Sequence, residues 1–252
     1  MQQPQEEIFG ESEQNSDTWS KWSITIDPVL KYELKDKSKT VQIVQNHKGF
    51  GELGSRVWEG SLILSRLVEK MGPDFFKNKR CIELGSGTGL LGIIAALMGA
   101  QVTLTDKASL LKLIQLNVDS NTADNLEVRK NITAQELFWG TEITDPNLKD
   151  HFDVVLGADL TYIFEDLPIL LDTMKQLLRR GEFTSTGNSW VPNNTSVILL
   201  AYGKERAAIP TFFELAAKDF EVVKIIDENE LDFSDTPNPT FSINVAIMKR
   251  KL

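Results

Sequence analysis

Residues 81–89 are Cys81-Ile82-Glu83-Leu84-Gly85-Ser86-Gly87-Thr88-Gly89, an apolar stretch that runs directly into three glycines at alternate positions. The apolar residues predict a buried strand, and the apolar run that starts at Leu90 predicts a helix directly after the glycines. Glycine lets the backbone take a positive φ and approach a ligand closely, and the first N–H groups of a helix have no partner within it. This strand, turn and helix therefore predict a nucleotide-binding loop in an α/β sheet.

The spacing of the glycines and two nearby carboxylates indicate which nucleotide binds. The Gly-x-Gly-x-x-Gly loop of dinucleotide-binding domains would need glycine at position 90, where this chain has Leu90. Glu83 lies two residues before the first glycine, and Asp106 ends the next predicted strand, where a carboxylate can accept from both hydroxyls of a ribose. Together these features predict a binding pocket for S-adenosyl-L-methionine, with S-adenosyl-L-homocysteine as the product.

The composition bounds the class of protein and its partners. The chain has 252 residues, of which 41% are hydrophobic and 25% charged, as expected for one globular α/β domain with additions at its edges. No apolar run approaches the roughly 20 residues that a membrane span needs. The net charge of −9 argues against a broad phosphate-binding face. We therefore expect a monomer that has a protein partner and binds neither nucleic acid nor a membrane.

Residues 1–18 are polar and rich in glutamine, and we expect them to form a disordered tail. They resemble neither a secretory nor a mitochondrial leader, so we expect the cytoplasm and, as a second location, the nucleus. Residues 19–252 are expected to form a single domain, in which residues 19–75 are an N-terminal extension and residues 76–252 contain the sheet. Cys81 is the only cysteine and is expected in the core.

In the extension, alternating apolar and polar residues predict strands at Trp22–Ile26 and Thr40–Val44. The lysine-rich segment Lys31–Lys39 is expected to be the end of a hairpin or a solvated strand. Apolar residues at helical spacing predict a helix from about residue 58 to 70, ended by Gly72-Pro73.

From residue 80 onward, predicted strands and helices alternate, which is typical of a parallel sheet with helices on both faces. We predict strands at 80–84, 101–105, 127–130, 152–158 and 197–201, and helices at 90–98, 109–120 (with Ser109 as its N-cap), 167–179 and 211–218. No helix separates the last two predicted strands, 221–226 and 241–248, so these must pair antiparallel. The pattern predicts a Rossmann-like, seven-stranded α/β sheet with a terminal antiparallel hairpin, the sheet of class I methyltransferases.

Four short motifs follow one another in a distinctive order: Val57-Trp58-Glu59, Glu83-Leu84-Gly85-Ser86-Gly87-Thr88-Gly89, Leu137-Phe138-Trp139-Gly140 and Gly157-Ala158-Asp159-Leu160-Thr161-Tyr162. With them, the chain resembles the methyltransferase-like family 21 group of seven-β-strand protein-lysine methyltransferases over roughly residues 45–250. The resemblance implies methyl transfer from S-adenosylmethionine to a lysine side chain of a chaperone, an AAA-type ATPase or a translation elongation factor. Arg56 and Gly60-Ser61 depart from the family pattern, in which apolar residues are more usual.

The resemblance also implies a set of cofactor contacts. Backbone atoms of Gly85, Ser86 and Gly87 would approach the methionine part, and Asp106 would accept from the ribose hydroxyls. Trp139 would stack near the adenine, Trp58 would close over the methionine end, and Ala158 would lie at a strand end where parallel sheets bind ligands. From the residues alone, Trp58 could instead be a core residue of its helix, and Asp106 a solvated strand end.

The segment after Ala158 is expected to form the lysine site, with Asp159 and Tyr162 as the catalytic residues. Methyl transfer is an in-line displacement that needs a neutral, aligned amine, and lysine, with a pKa of about 10.4, must first lose a proton. Our hypothesis is that Asp159 draws in and orients the ammonium group, that Tyr162 supplies a wall and a hydroxyl, and that water takes the proton. The alternative is that Asp159 caps the helix that follows it.

Two other functions remain open at this point: a methyltransferase for a small molecule or another protein atom, and a non-enzymatic module that binds S-adenosylmethionine. The non-enzymatic module would be expected to have lost Gly85, Asp106 or Asp159, all of which are present. Residues 159–162 lack the Pro-Pro of base methyltransferases, which counts against nucleic acid. His47 and His151 are the only histidines, so no metal centre is expected.

Overall fold

The computed structural model describes residues 27–45, 53–180, 185–230 and 242–251. The predicted tail, the predicted strand at Trp22–Ile26 and His47 lie outside these ranges. Within them, no helix combines the length and the apolar character that crossing a bilayer requires.

In chain order the described elements are β1 (Val29–Glu33), β2 (Thr40–Val44), α1 (Glu59–Phe76), β3 (Arg80–Leu84), α2 (Leu90–Leu97), β4 (Gln101–Asp106), α3 (Ala108–Thr122), α4 (Leu126–Lys130), β5 (Ile132–Glu136), β6 (Val154–Ala158), α5 (Leu167–Leu177), β7 (Val197–Gly203), α6 (Ile209–Ala216), β8 (Phe220–Asp227) and β9 (Ile243–Arg250). A 3₁₀ turn, Leu53–Ser55, precedes α1, and a second, Glu228–Glu230, follows β8.

The main sheet has the strand order β5-β4-β3-β6-β7-β9-β8. Strands β3 to β7 pair parallel, and β9 lies antiparallel between β7 and β8. The predicted seven-stranded sheet with a terminal antiparallel hairpin is confirmed. Because the chain leaves β3 toward β4 and later returns to β6 on the other side, the carboxyl ends of β3 and β6 flank the switch point where such sheets bind ligands.

Two apolar clusters cover the two faces of this sheet. One contains side chains from α1, α2, α3 and the hairpin β1–β2, and the other contains side chains from α5 and α6. Alternation along β3 sends Cys81 to the first cluster and Ile82 to the second. Cys81 is fully buried as predicted, and burial raises the pKa of its thiol.

The N-terminal hairpin differs in part from the prediction. β2 pairs antiparallel with β1, so residues 31–33 belong to strand β1, and residues 34–39 form the end of the hairpin as predicted. Leu30, Tyr32 and Leu34 are buried because they alternate onto the face that packs on the domain. The backbone N–H of Val44 donates to the side chain of Asn117 in α3 at 2.8 Å, which fixes the hairpin to the sheet domain.

The predicted third strand of the sheet, at residues 127–130, is wrong. These residues form helix α4, whose N-cap Asn125 accepts a hydrogen bond from Val128 N at 3.2 Å, and the strand is β5. None of the residues of α4 is buried, whereas Ile132 is buried and pairs with Val102 of β4. Burial beside β4 therefore decides which of two adjacent short segments becomes the strand.

Two predicted helix ends are also corrected. Ser109 is not the N-cap of α3, which begins at Ala108, and the Ala108 N–H donates instead to the Glu136 carboxylate at 3.0 Å. The first predicted helix continues beyond Gly72-Pro73 as α1, with a kink at Gly72, where φ is 67°. Phe75 and Phe76 are fully buried, and their packing explains why the turn after the kink stays helical.

Candidate active site

The glycine loop follows β3 and is fixed to β4. Gly85, Gly87 and Gly89 have φ values of 58°, 56° and 83°, in the left-handed region that favours glycine. Ser86 N donates to Thr105 O at 2.9 Å, and Thr105 N donates to Ser86 Oγ at 3.0 Å. The side chain of Ser86 therefore holds the loop in place, and Gly89 directly precedes the first residue of α2.

Asp106 lies at the carboxyl end of β4 beside this loop. Its Oδ2 accepts from Gly87 N at 2.7 Å, and its Oδ1 accepts from Lys107 N at 2.8 Å. The residue is half-buried, and both oxygens of its carboxylate accept a backbone N–H at this strand end. Asp106 therefore lies beside the glycine loop, at the strand end where the contact of a carboxylate with a diol is predicted.

Three loops meet at Gly85. A Cβ placed on Gly85 would lie 2.7 Å from Leu160 Cδ2 and 3.5 Å from Trp139 Cζ2. Trp139 comes from the loop after β5 and is half-buried, while Leu160 comes from the loop after β6. The predicted adenine-stacking residue is thus placed beside the glycine loop, together with a buried leucine for which we assigned no role.

Trp58 is not a core residue of a helix. It directly precedes α1, is half-exposed and belongs to neither apolar cluster. Its Nε1 donates to Leu53 O at 2.9 Å, and the guanidinium carbon of Arg56 lies 3.9 Å from the ring centroid. Arg56, one of the two departures from the family pattern, therefore covers one face of the indole.

Asp159 follows β6 with a left-handed φ of 57° and is 7% exposed. Its Oδ2 accepts from Gly60 N in the first turn of α1 at 2.7 Å, and its Oδ1 accepts from Arg206 Nη2 at 3.1 Å. Burial raises the pKa of this carboxyl, and the Arg206 charge and the Gly60 hydrogen bond oppose that rise. Asp159 thus bonds to the N-terminus of an earlier helix, not to the helix that follows it.

Ala158 and Tyr162 flank the same turn. Ala158 is the half-buried last residue of β6 and pairs with Ala201 of β7. Tyr162 is 47% exposed and begins a group of exposed apolar side chains on the loops after β5 and β6 and at the start of α5. We call this group the apolar rim: Phe138, Tyr162, Ile163, Phe164 and Ile169.

Glu83 is placed differently from the other predicted cofactor residues. Its carboxylate is 2% exposed and accepts from Gly92 N, in the first turn of α2, at 3.0 Å. Burial is the largest cause that raises the pKa of this carboxyl to about 8, and the hydrogen bonds oppose it. Its side chain therefore supports the helix behind the glycine loop.

We predict that Glu83 makes stability depend on pH. The pKa of Glu83 rises from 4.5 in the unfolded chain to about 8 in the folded protein. Its contribution to the free energy of unfolding is therefore full below pH 4.5 and is lost as the pH rises through about 8. The free energy of unfolding should fall by up to about 1.4 kcal/mol per pH unit in this window. Urea unfolding at several pH values should show a flatter profile for Glu83→Gln. The exposed Glu214→Gln serves as control, and equal slopes in all three proteins would contradict the prediction.

Two residues that the sequence analysis did not assign belong to this site. Position 60 needs a residue without a side chain, because a Cβ on Gly60 would lie 2.5 Å from Asp159 Oδ2. In the sequence, Gly60 stood out only as a departure from the family pattern. Arg206, in the loop between β7 and α6, has no local signal in the sequence.

The sheet order, the glycine loop and the carboxylate at the end of β4 define a class I methyltransferase. Solved structures share this fold. One is the glycopeptide N-methyltransferase MtfA, with a TM-score of 0.53 and 13% identity over 75% of this chain and 90% of that one. Another is a predicted O-methyltransferase, protein Atu636 from Agrobacterium tumefaciens, with a TM-score of 0.52 and 13% identity over 77% and 81%.

The sequence profile of a family described as "Lysine methyltransferase" matches residues 35–219, and the chain belongs to this family. Protein N-lysine methyltransferase METTL21A of Mus musculus is 33% identical over 193 residues, 77% of this chain and 80% of the relative. EEF1A lysine methyltransferase 3 of the same species is 38% identical over 137 residues, 54% and 56% of the two chains. Protein-lysine N-methyltransferase EFM6 of Saccharomyces cerevisiae is 29% identical over 202 residues, 71% and 75% of the two chains.

The protein is therefore an S-adenosyl-L-methionine-dependent protein-lysine N-methyltransferase, and the predicted family, fold and cofactor are confirmed. The residues present fit this cofactor, because a carboxylate, glycine-loop backbone and an indole lie side by side at the switch point. The cofactor supplies an electrophilic methyl group on a sulfonium sulfur.

Proposed function

We propose that the enzyme methylates a lysine on a folded protein that docks on the apolar rim. The rim carries the argument, because its five exposed apolar side chains lie on the loops that follow β5 and β6 and on α5, the side where we propose that the lysine enters. Gly140 joins the loop after β5 to α5, since its N–H donates to Thr173 Oγ1 at 3.0 Å. Exposed apolar patches of this kind typically mark protein interaction sites.

The substrate classes that we propose are elongation factors, chaperones and AAA-type ATPases. The name of one relative, EEF1A lysine methyltransferase 3, specifies an elongation factor for that protein and favours this class. We also propose a monomer in the cytoplasm, and in the nucleus as a second location, that binds neither nucleic acid nor membranes. The net charge of −9 supports the exclusion of nucleic acid.

For the cofactor, we propose that Asp106 accepts from the ribose hydroxyls and that backbone atoms of Gly85, Ser86 and Gly87 approach the methionine part. Trp139 offers a flat apolar surface to the adenine, and Trp58 closes the methionine end. Ala158 borders the pocket at the end of β6. Glu83 acts from behind the loop through Gly92.

Asp106→Ala is predicted to weaken S-adenosylhomocysteine binding by about 10- to 100-fold, because a hydrogen bond to a charged group is worth roughly 1.5–3 kcal/mol. The substitution also removes the acceptor of Gly87 N. Isothermal titration calorimetry measures the affinity. Asp106→Asn keeps one acceptor oxygen, so its affinity should lie between those of the unsubstituted protein and Asp106→Ala. Unchanged affinity of a folded Asp106→Ala protein would refute the assignment.

For the lysine, we propose that Asp159 attracts and orients the ammonium group and that Tyr162 forms a wall of the channel and offers its hydroxyl. The proton leaves to water before the amine reacts. The partial exposure of Tyr162, next to the buried Asp159 turn, supports an entrance on this side.

The test is to incubate the purified protein with tritiated S-adenosylmethionine in a lysate of its own cells, followed by gel and mass spectrometry. We expect a labelled band that carries methyl-lysine and that is lost with Asp159→Ala. Asp166→Ala, on the same loop, is the matched control because its side chain makes no capping bond to α5. Labelling of a small molecule alone, or equal labelling by Asp159→Ala, would overturn the proposal.

A further inference from the structure

Arg206 is tied to the turn that carries Asp159. Its backbone N–H donates to Gly203 O at 3.2 Å, and its side chain lies along Gly203, where a Cβ would come within 3.2 Å of its Nε. From this position Nη2 reaches Asp159 Oδ1 at 3.1 Å. The guanidinium side chain is 31% exposed and the carboxylate side chain 6%, so Arg206 lies on the outer side of the pair.

The charge of Asp159 presents a chemical problem for the reaction. An opposite charge within about 4–6 Å of an ammonium group raises its pKa by roughly 1–3 units. The nucleophile, however, must be the neutral amine. A lone carboxylate that draws in the lysine would therefore also hold it in the unreactive protonated form. Glu59 of α1, which also acts on Asp159 electrostatically, adds a further negative charge.

Arginine solves this problem because its guanidinium stays protonated at every working pH. Paired with Arg206, the Asp159 carboxylate attracts a second cation less strongly than a lone carboxylate would, and its oxygens keep lone pairs for a hydrogen bond. The third contact of the carboxylate, the Gly60 N–H, is neutral and keeps it in place.

We propose that Arg206 is a positioning residue for methyl transfer. It offsets part of the negative charge of Asp159, so that the carboxylate attracts and orients the substrate lysine without holding it as an ammonium ion. The lysine gives its proton to water, and its nitrogen lone pair then forms the N–C bond while the C–S electron pair returns to sulfur. The inference rests on the proposed function, because it requires the lysine to approach Asp159.

The test compares Arg206→Met, which removes the charge at similar length, with Arg206→Lys, which keeps it. Initial rates of tritium incorporation into lysate protein are measured from about pH 6.5 to about pH 9.5, at several lysate concentrations. For Arg206→Met we expect a rate about 10-fold lower near neutral pH that recovers at alkaline pH, a shift of about one unit. The apparent KM for lysate protein should not rise. Arg206→Lys should follow the unsubstituted enzyme.

The outcomes separate the inference from the proposed function. A rate that falls equally at every pH with Arg206→Met, or that does not change, would overturn the inference. If Asp159→Ala is inactive at the same time, the proposed function still stands. In an Asp159→Asn background, Arg206→Met should no longer shift the profile, and a shift that persists there also overturns it. Labelling that survives Asp159→Ala, or no labelling by the unsubstituted enzyme, refutes the proposed function itself. Unchanged S-adenosylhomocysteine affinity confirms that the Arg206 variants are folded.

Discussion

Gly87→Ala is expected to reduce the affinity for S-adenosylhomocysteine at least about 30-fold. Gly87 has a φ of 56°, and a Cβ there would lie 2.7 Å from the backbone oxygen of Gly54. The left-handed conformation costs an L-residue roughly 1–2 kcal/mol, and overpacking against rigid backbone costs roughly 1–3 kcal/mol more. Each 1.4 kcal/mol is about a tenfold change in affinity. The loop must therefore move, and with it the Gly87 N–H that bonds to Asp106.

Gly72→Ala is the matched control for this substitution. Gly72 has a similar φ of 67°, but no atom lies within 4 Å of the position of its Cβ. With a ψ of −175°, Gly72 lies in a backbone region that essentially only glycine adopts, so Gly72→Ala should lose roughly 1–3 kcal/mol of stability and keep its affinity for the cofactor product. Calorimetry and urea unfolding of both variants separate backbone strain from the clash with Gly54. If Gly87→Ala bound S-adenosylhomocysteine as tightly as the unsubstituted protein does, the glycine loop would not have the cofactor-binding role that we propose.

Gly60→Ala is expected to lower turnover about 100-fold while the protein stays folded. Alanine normally stabilises a helix by roughly 0.5–1 kcal/mol relative to glycine, so helix propensity alone predicts a gain in stability. Here the new Cβ would lie 2.5 Å from Asp159 Oδ2 and 2.9 Å from its carboxyl carbon. The carboxylate must then leave its position between Gly60 and Arg206. A displacement of about 1 Å at a reacting centre can cost about 100-fold in rate.

The measurement is the rate of tritium transfer to lysate protein, with Ser61→Ala in the same turn as control. Ser61 is half-exposed, and Ser61→Ala should label at the normal rate. The clash also disappears when the carboxylate is removed, so Gly60→Ala should cost no stability in an Asp159→Ala background, as measured by urea unfolding. Normal turnover of Gly60→Ala would show that the position of Asp159 does not matter for the reaction.

Sequence periodicity predicted most of the sheet domain correctly. β3 was predicted with its observed bounds because a short apolar run lies between clear turn signals. The antiparallel end was predictable because no helix-length segment separates β8 from β9. The strand at 127–130 failed because α4 and β5 are adjacent five-residue segments with similar local preferences. Only pairing with β4 distinguishes them.

The sequence by itself determined the glycine loop, the order of the strands and helices outside residues 126–136 and the carboxylate of Asp106, because each follows from spacing within a few residues. Tertiary structure alone decided the partners of Asp159. Gly60 and Asp159 are 99 positions apart, and Arg206 is 47 positions beyond Asp159. Local patterns carry no information on such contacts, because they exist only once α1, β6 and β7 pack side by side. The fold therefore decides which neighbouring groups set the charge and position of the carboxylate proposed to receive the lysine.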